Sequence, residues 1–338
     1  MKYRYFQSSL LLITLFLCGS IYAQDSSPLF ELQVKKNLMG TEFSITALHT
    51  SIDTCKKALL KAMKEVERIE SFTSNYKKGT EISNVNDSAF NHPVKISTEL
   101  FQLLERCVSY SEKYNGLFDI TVGPITDYFG LNSEHPLVTK PDLKKIDSLL
   151  QFTGYKLIQL DKNNQTVKFL RDGMKLDLGG IAKGYAIDKA SERLKSEGVK
   201  DFLLSGGGDI YVSGFNPKRE KWTVGIKNPR DETKLSGAIT ITDFSAATSG
   251  DYERYKIIDG IRYHHIINPK TGIPPLVSQS STVLVSTCEE GVVLSKVLFI
   301  LGAEKLAGSE TDTPYFIIDS EGKPHFNAYF GQFTTENN

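Results

Sequence analysis

The stretch Leu176-Asp-Leu-Gly-Gly-Ile-Ala-Lys-Gly-Tyr185 constrains this chain more than any other. An acid, a glycine pair and a lysine arrive together where an amphipathic helix begins. That helix carries Ala186, Ile187, Ala190 and Leu194 on its inner face and stops at Gly198. A helix N-terminus offers unpaired N–H groups and the positive end of the macrodipole, so the turn suits a phosphate. The plainer reading is a strand-to-helix connection whose glycines only permit close packing. The acid precedes the glycines and no G-x-G-x-x-G follows, and there is no Walker lysine pattern. A dinucleotide dehydrogenase is therefore disfavoured.

The chain has 338 residues, enough for one large domain or two closely joined ones. Its 40 basic and 40 acidic residues cancel, which points to no nucleic-acid or polyanion partner. Lys2 and Arg4 precede an apolar run from Leu10 to Cys18, and Ile21-Tyr22-Ala23 puts a small residue before Gln24. Residues 1–23 are read as a secretory signal peptide, too short to span a bilayer, and residues 24–338 as the exported domain. The product is expected in the periplasm or on the outer face of the cell envelope. Cys18 raises the alternative of a lipid anchor, but Leu17 stands where lipoprotein processing wants a small side chain. Cys55, Cys107 and Cys288 then remain; none is in CxxC spacing, and buried free thiols are expected.

Apolar residues at three- and four-residue steps (Ile52, Cys55, Leu59, Met63, Val66, Ile69) predict a helix over 51–72, after a strand over 43–48. Ser97 caps a second helix ended by Asn115-Gly116, and Pro141 opens a short basic helix through Leu150. Strands are predicted over 155–160, 166–170, 202–204, 210–212, 223–226, 238–241, 255–258 and 282–285, with a last helix over 289–300. The order is mixed α+β, with strands clustered after residue 200.

Five further segments place polar residues or glycines where a core pattern does not need them. They are Met39-Gly-Thr41; Ser74-Asn-Tyr76 with Glu81-Ile-Ser-Asn84; Phe118-Asp-Ile-Thr-Val-Gly-Pro124; Ser205-Gly-Gly-Gly-Asp209; and Ala247-Thr-Ser-Gly-Asp251 leading to His264-His-Ile-Ile-Asn-Pro-Lys-Thr-Gly272. Each has a structural explanation of its own, such as a β-bulge at the triple glycine or a turn at Asn268-Pro269. Adjacent His264 and His265 point to opposite faces of a strand, so at most one enters a site. Taken together and in this order, the segments resemble the ApbE family of FAD:protein FMN transferases. The resemblance runs from Met39 to Leu298-Phe-Ile-Leu-Gly302.

The resemblance implies an α+β fold of mixed sheets and packed helices, two closely joined lobes with a flavin-nucleotide cleft between them. It implies an exported enzyme that takes FAD as donor and attaches FMN through a phosphoester to a threonine of an acceptor protein, releasing AMP. That acceptor is expected to be exported or membrane-bound. By match, Met39, Tyr76, Leu117, Phe118, Asp119, Asp177, Lys183 and Ile266 meet the flavin nucleotide, and His265 supplies acid–base help. The family also implies a magnesium ion held by an aspartate and, one turn later on the same helix, a threonine. Here those positions are Val292 and Lys296, and the third contact, at Gly180, offers only a backbone carbonyl. Valine cannot ligate a hard cation and lysine repels it. Three readings follow: the Lys296 ammonium replaces the metal, Glu289 or Glu290 rescues it, or the protein binds FAD without transferring FMN. Hydrolysis of the FAD pyrophosphate is a variant of the last.

Overall fold

The structure, a computed structural model, describes residues 12–16, 28–131, 139–306 and 311–334. Most of the expected signal peptide, Cys18 included, lies outside the described residues. In chain order the strands are β1 (Leu12–Phe16), β2 (Phe30–Leu38), β3 (Thr41–His49), β4 (Val94–Lys95), β5 (Ile158–Asp161), β6 (Thr166–Phe169), β7 (Asp201–Gly206) and β8 (Asp209–Ser213). They continue as β9 (Trp222–Lys227), β10 (Leu235–Ile241), β11 (Ser245–Gly250), β12 (Tyr255–Ile258), β13 (Ile261–His264), β14 (Ser278–Val285), β15 (Tyr315–Asp319) and β16 (Pro324–Phe326). The helices are α1 (Ile52–Thr73), α2 (Glu81–Ser88), α3 (Thr98–Lys113), α4 (Gly123–Phe129), α5 (Leu143–Leu150), α6 (Ala182–Ser196), α7 (Cys288–Leu306) and α8 (Ala328–Gly331).

One antiparallel sheet of order β1-β2-β3-β7-β8-β11-β14-β15-β16 forms the frame. Helices α1, α6 and α7 cover one face of it. The β9–β10 hairpin and α8 cover the other, closing a second cluster around Trp222, Ile239, Leu284 and Phe330. A small sheet, β4-β6-β5, stands beside α2 and α3. Its Val167 and Phe169 share one continuous core with Phe43, Leu59 and Val293 of the large sheet and its helices. The two lobes are thus joined through apolar packing, and all three described cysteines are buried free thiols within it, as expected.

Local chemistry explains the elements. Ser51 caps α1, its hydroxyl accepting from Thr54 N at 3.3 Å, and Cys55, Leu59, Met63, Val66 and Ile69 are buried as the periodicity predicted. Ser97 likewise caps α3, and α6 buries Ala186, Ile187, Ala190 and Leu194. The last helix breaks at Gly302, whose φ is 75°.

Other expectations are corrected. The strand predicted to begin at residue 155 starts with a 3-10 turn and pairs only from Ile158. Residues 30–38, which the periodicity left unassigned, form β2, with Leu32, Val34 and Leu38 buried. The segment Glu81-Ile-Ser-Asn84, singled out for its polar residues, is the first half of α2, capped by Thr80. Gly123-Pro124 opens α4 rather than a plain turn, because proline fits the first helical turn. β11 escapes strand propensity because Ser-Ala-Ala-Thr-Ser-Gly has one β-branched residue, Thr248, and no aromatic; its small side chains admit α7, whose Gly291 sits directly over Ala247. β14 begins at Ser278, not Thr282, and buries a serine-rich half between two neighbouring strands.

Candidate functional site

The α6 turn is not preceded by a sheet strand. Leu176 instead lies between side-chain partners: its N–H donates to Asn86 Oδ1 at 2.7 Å, and its carbonyl accepts from Asn86 Nδ2 at 2.9 Å. One amide therefore does what a neighbouring strand would do. Asp177 fixes the bend that follows, its carboxylate accepting from Gly179 N at 2.8 Å and from the Thr126 hydroxyl at 2.9 Å. At the start of α6, Ile181 makes no side-chain cap, and the N–H groups of Ile181 and Ala182 donate to Leu178 O at 3.0 and 2.8 Å. Gly184 has a different task. A Cβ there would lie 2.5 Å from Cys288 O and 2.7 Å from Val292 Cγ2, so it allows α6 and α7 to cross in contact.

Around this turn opens a cleft of about 670 Å³. One wall is the β2–β3 turn at Met39-Gly40, held by Met39 N donating to Glu70 Oε1 at 2.8 Å. Another is the β7–β8 turn, where Gly207 and Gly208 take φ of 64° and 90°. The Gly207 backbone comes so close to Lys183 that a Cβ there would sit 3.1 Å from Cε. The small lobe contributes Leu117, Phe118 and Asp119. Asp119 spends its carboxylate on Thr121 and on the Tyr155 N–H, at 2.6–2.8 Å, and burial raises its pKa. Tyr76 stands at the mouth, 58% exposed, and Ile266 packs with Phe299 and Ile300 behind the wall.

The polar centre of the cleft holds His265, Lys183, Lys296 and Asp209. The two adjacent histidines separate, His264 ending β13 and His265 lying just past it rather than on the strand that the sequence suggested. His264 Nδ1 accepts from Ile266 N at 3.3 Å and its Nε2 donates to Pro275 O at 2.8 Å, with its ring edge-on to Phe299. His265 faces the cleft. Its backbone N–H donates to Arg254 O at 3.0 Å, while its Nδ1 is buried with no hydrogen-bond partner among the described residues. Burial first, then Lys183 and Lys296, hold its pKa well below the ordinary 6.5, so the imidazole is neutral at neutral pH. Lys296 Nζ donates to Val292 O at 2.9 Å. Burial and then Lys183 lower its pKa from 10.5 to about 8, against the pull of Asp209. Asp209 is itself raised by burial, an effect the two lysines oppose.

Residues 39–314 match the ApbE family. The chain belongs to that family. It is 33% identical over 242 residues to an FAD:protein FMN transferase of Klebsiella pneumoniae (strain 342), covering 71% of this chain and 74% of the relative. A solved structure of the ApbE protein of Thermotoga maritima is similar with a TM-score of 0.84 at 28% identity, covering 90% of this chain and 99% of that one. The flavin transferase ApbE from Vibrio cholerae is similar with a TM-score of 0.81 at 26% identity, covering 90% and 100%.

Every side chain that the ApbE resemblance assigned to the nucleotide lines this one cleft, as do His265, Lys296 and Gly180. Val292 does not; it is 2% exposed and packed against Gly184. Glu289 and Glu290 do not reach the cleft either. Glu289 accepts from Nε and Nη2 of Arg106 at 2.7 and 2.9 Å, and Glu290 pairs with Lys113 at 3.1 Å. Among the described residues no group of three His, Cys, Asp or Glu could hold a metal ion. The residues present do not fit the divalent cation that the family resemblance implies. Glu70, Asp209 and Arg254 also line the cleft and were not assigned from sequence. Asp209 closes the quoted triple-glycine segment and was the one with a visible signal; Glu70 looked like any charge on the outer face of α1.

Proposed function

We propose that this chain is an FAD:protein FMN transferase that moves FMN from FAD onto a threonine hydroxyl of an exported acceptor protein and releases AMP. The observation that carries the reading is the convergence in one cleft of the ApbE nucleotide residues around a neutral histidine whose Nδ1 has no partner. The cleft's volume suits a large nucleotide, since ligand sites run from about 300 to 1,000 Å³. The uncapped α6 terminus and the ammonium groups of Lys183 and Lys296 make its centre favourable for a pyrophosphate. The basic start and apolar run of residues 1–18 support export of the enzyme.

In the reaction the acceptor hydroxyl oxygen attacks the phosphorus of the FMN half. A new P–O bond forms to the acceptor, and the P–O bond to AMP breaks. The hydroxyl proton passes to neutral His265, and AMP leaves with the electron pair of the broken bond. Met39, Tyr76 and Ile266 would hold the flavin nucleotide against the cleft walls, and Asp177 keeps the glycine turn in the shape that presents Lys183.

Incubation with FAD and an acceptor carrying the target threonine tests this, read by in-gel flavin fluorescence. A labelled acceptor and stoichiometric AMP are expected. Free FMN and AMP with no labelled acceptor would instead identify a pyrophosphatase, and bound but intact FAD a binding protein.

A further inference from the structure

Where the family resemblance implies a metal, this chain has built something else. The helical face that should supply an aspartate and a threonine supplies Val292 and Lys296. Val292 is turned into the α6–α7 contact. The Lys296 stem lies across the glycine turn, its Cε and Cδ 3.7 and 3.8 Å from where a Cβ on Gly180 would stand. A Cβ at 180 would make ordinary contact with this stem and press on the Phe118 ring, 3.3 Å away. The ammonium is thus directed into the cleft and steadied there by one hydrogen bond, to Val292 O at 2.9 Å. An ammonium has three N–H donors, so two remain for phosphate oxygens. Lys183 stands opposite, close enough to shift the Lys296 equilibrium, and Asp209 balances the pair from the end of the β7–β8 turn.

We propose that the Lys296 ammonium is the resident cation of this active site, binding the FAD pyrophosphate with Lys183 in place of a divalent metal, so that FMN transfer needs no metal ion. The inference rests on the transferase reading above and deepens it. The bond changes are those already given; Lys296 and Lys183 offset the negative charge that gathers on the AMP phosphate as its bond to phosphorus breaks. A compact, strongly hydrated ammonium suits this role, because it needs no particular coordination geometry. Asp209 keeps the two like charges side by side in a partly closed site. Without it, each would press the other toward its neutral form.

The full chain is tested with chelator and with added magnesium, by FAD affinity from quenching of flavin fluorescence and by acceptor labelling. Wild-type affinity and labelling are expected to be the same in both. Lys296→Met is expected to weaken FAD binding about tenfold to a hundredfold, the value of a charged hydrogen-bonded contact, with no recovery in magnesium. Labelling by wild type that stops in chelator and returns with magnesium overturns the proposal. So does a Lys296→Met protein with wild-type affinity and turnover. If wild type binds FAD yet labels no acceptor, the transferase reading fails while the affinity arms still decide this one. Metal-independent affinity that falls in Lys296→Met supports it, and magnesium-dependent affinity overturns it.

Discussion

At the scale of single residues, His265 and Lys296 set opposite limits on pH. The proposed proton acceptor, His265, can take a proton only when neutral, and its depressed pKa keeps it so down to well below pH 6.5. Lys296 is a cation only below its pKa of about 8, and loses that charge as pH rises through it. The groups facing Lys296 are Lys183 on α6, Asp209 on β8 and Cys288 on its own helix. For the free enzyme, kcat/KM for FAD is therefore expected to hold level from pH 6 to pH 7.5 and to fall above about pH 8, as a pH series of labelling rates would show. Lys296→Met should remove that alkaline limb. His265→Ala should lower labelling about a hundredfold to ten-thousandfold while FAD affinity stays within a few-fold, separating proton transfer from binding. Lys183 drew notice as a lysine set among glycines, whereas the local pattern did not choose between His264 and His265, and only the family resemblance pointed to His265. Glu70 and Arg254 were not, since a charge on a helix or loop looks solvated until its partners, Met39 N and Gly40 O, are known.

At the scale of elements, the glycine turn has two supports that no local pattern reveals. The first is Asn86, ninety residues away, whose amide satisfies both backbone groups of Leu176. Asn86→Ala leaves them unpaired in a half-buried setting and is expected to cost about 1–3 kcal/mol, measured by urea denaturation, with weaker FAD binding as the turn loosens. The second is Gly184, which the sequence offers as a flexible residue but the structure uses for contact. Because the atoms it would strike include the Cys288 carbonyl, Gly184→Ala has no flexible neighbour to push aside. Loss of about 1–3 kcal/mol of stability is expected, together with displacement of α7 and of Lys296 with it. The long helices α1, α3 and α6 were legible because their apolar residues repeat, whereas the short α2 and α4 were not. The strand β11 and the serine-rich first half of β14 were not legible, because small or polar residues buried by neighbours carry no strand signature.

At the scale of the whole molecule, the α+β class followed from element order, but the sheet order did not. The pairing that closes the sheet joins Phe43 to Gly206 and Ile45 to Leu204, contacts set by tertiary packing rather than by neighbours in sequence. The same is true of how the lobes grip one another. Arg106, on α3 of the small lobe, holds Glu289 in the first turn of α7 with two hydrogen bonds and lies over the Tyr185 ring of α6. Asp188 of α6 meets the same end of α7, accepting from Cys288 N and Glu289 N at 2.7 and 2.8 Å. The helix that brings Lys296 to the cleft is therefore clamped at its start by both of its neighbours. Arg106→Ala would leave the Glu289 side chain, 9% exposed, without its partner. Because Arg106 is itself 40% exposed, solvent screens the pair, and the expected loss is about 1–3 kcal/mol rather than that of a fully buried ion pair. The urea midpoint should fall with an unchanged slope, and FAD affinity should fall with it, because α7 is held less firmly over the glycine turn. Affinity that stays at the wild-type value in a destabilised Arg106→Ala protein would show that the clamp serves the fold alone.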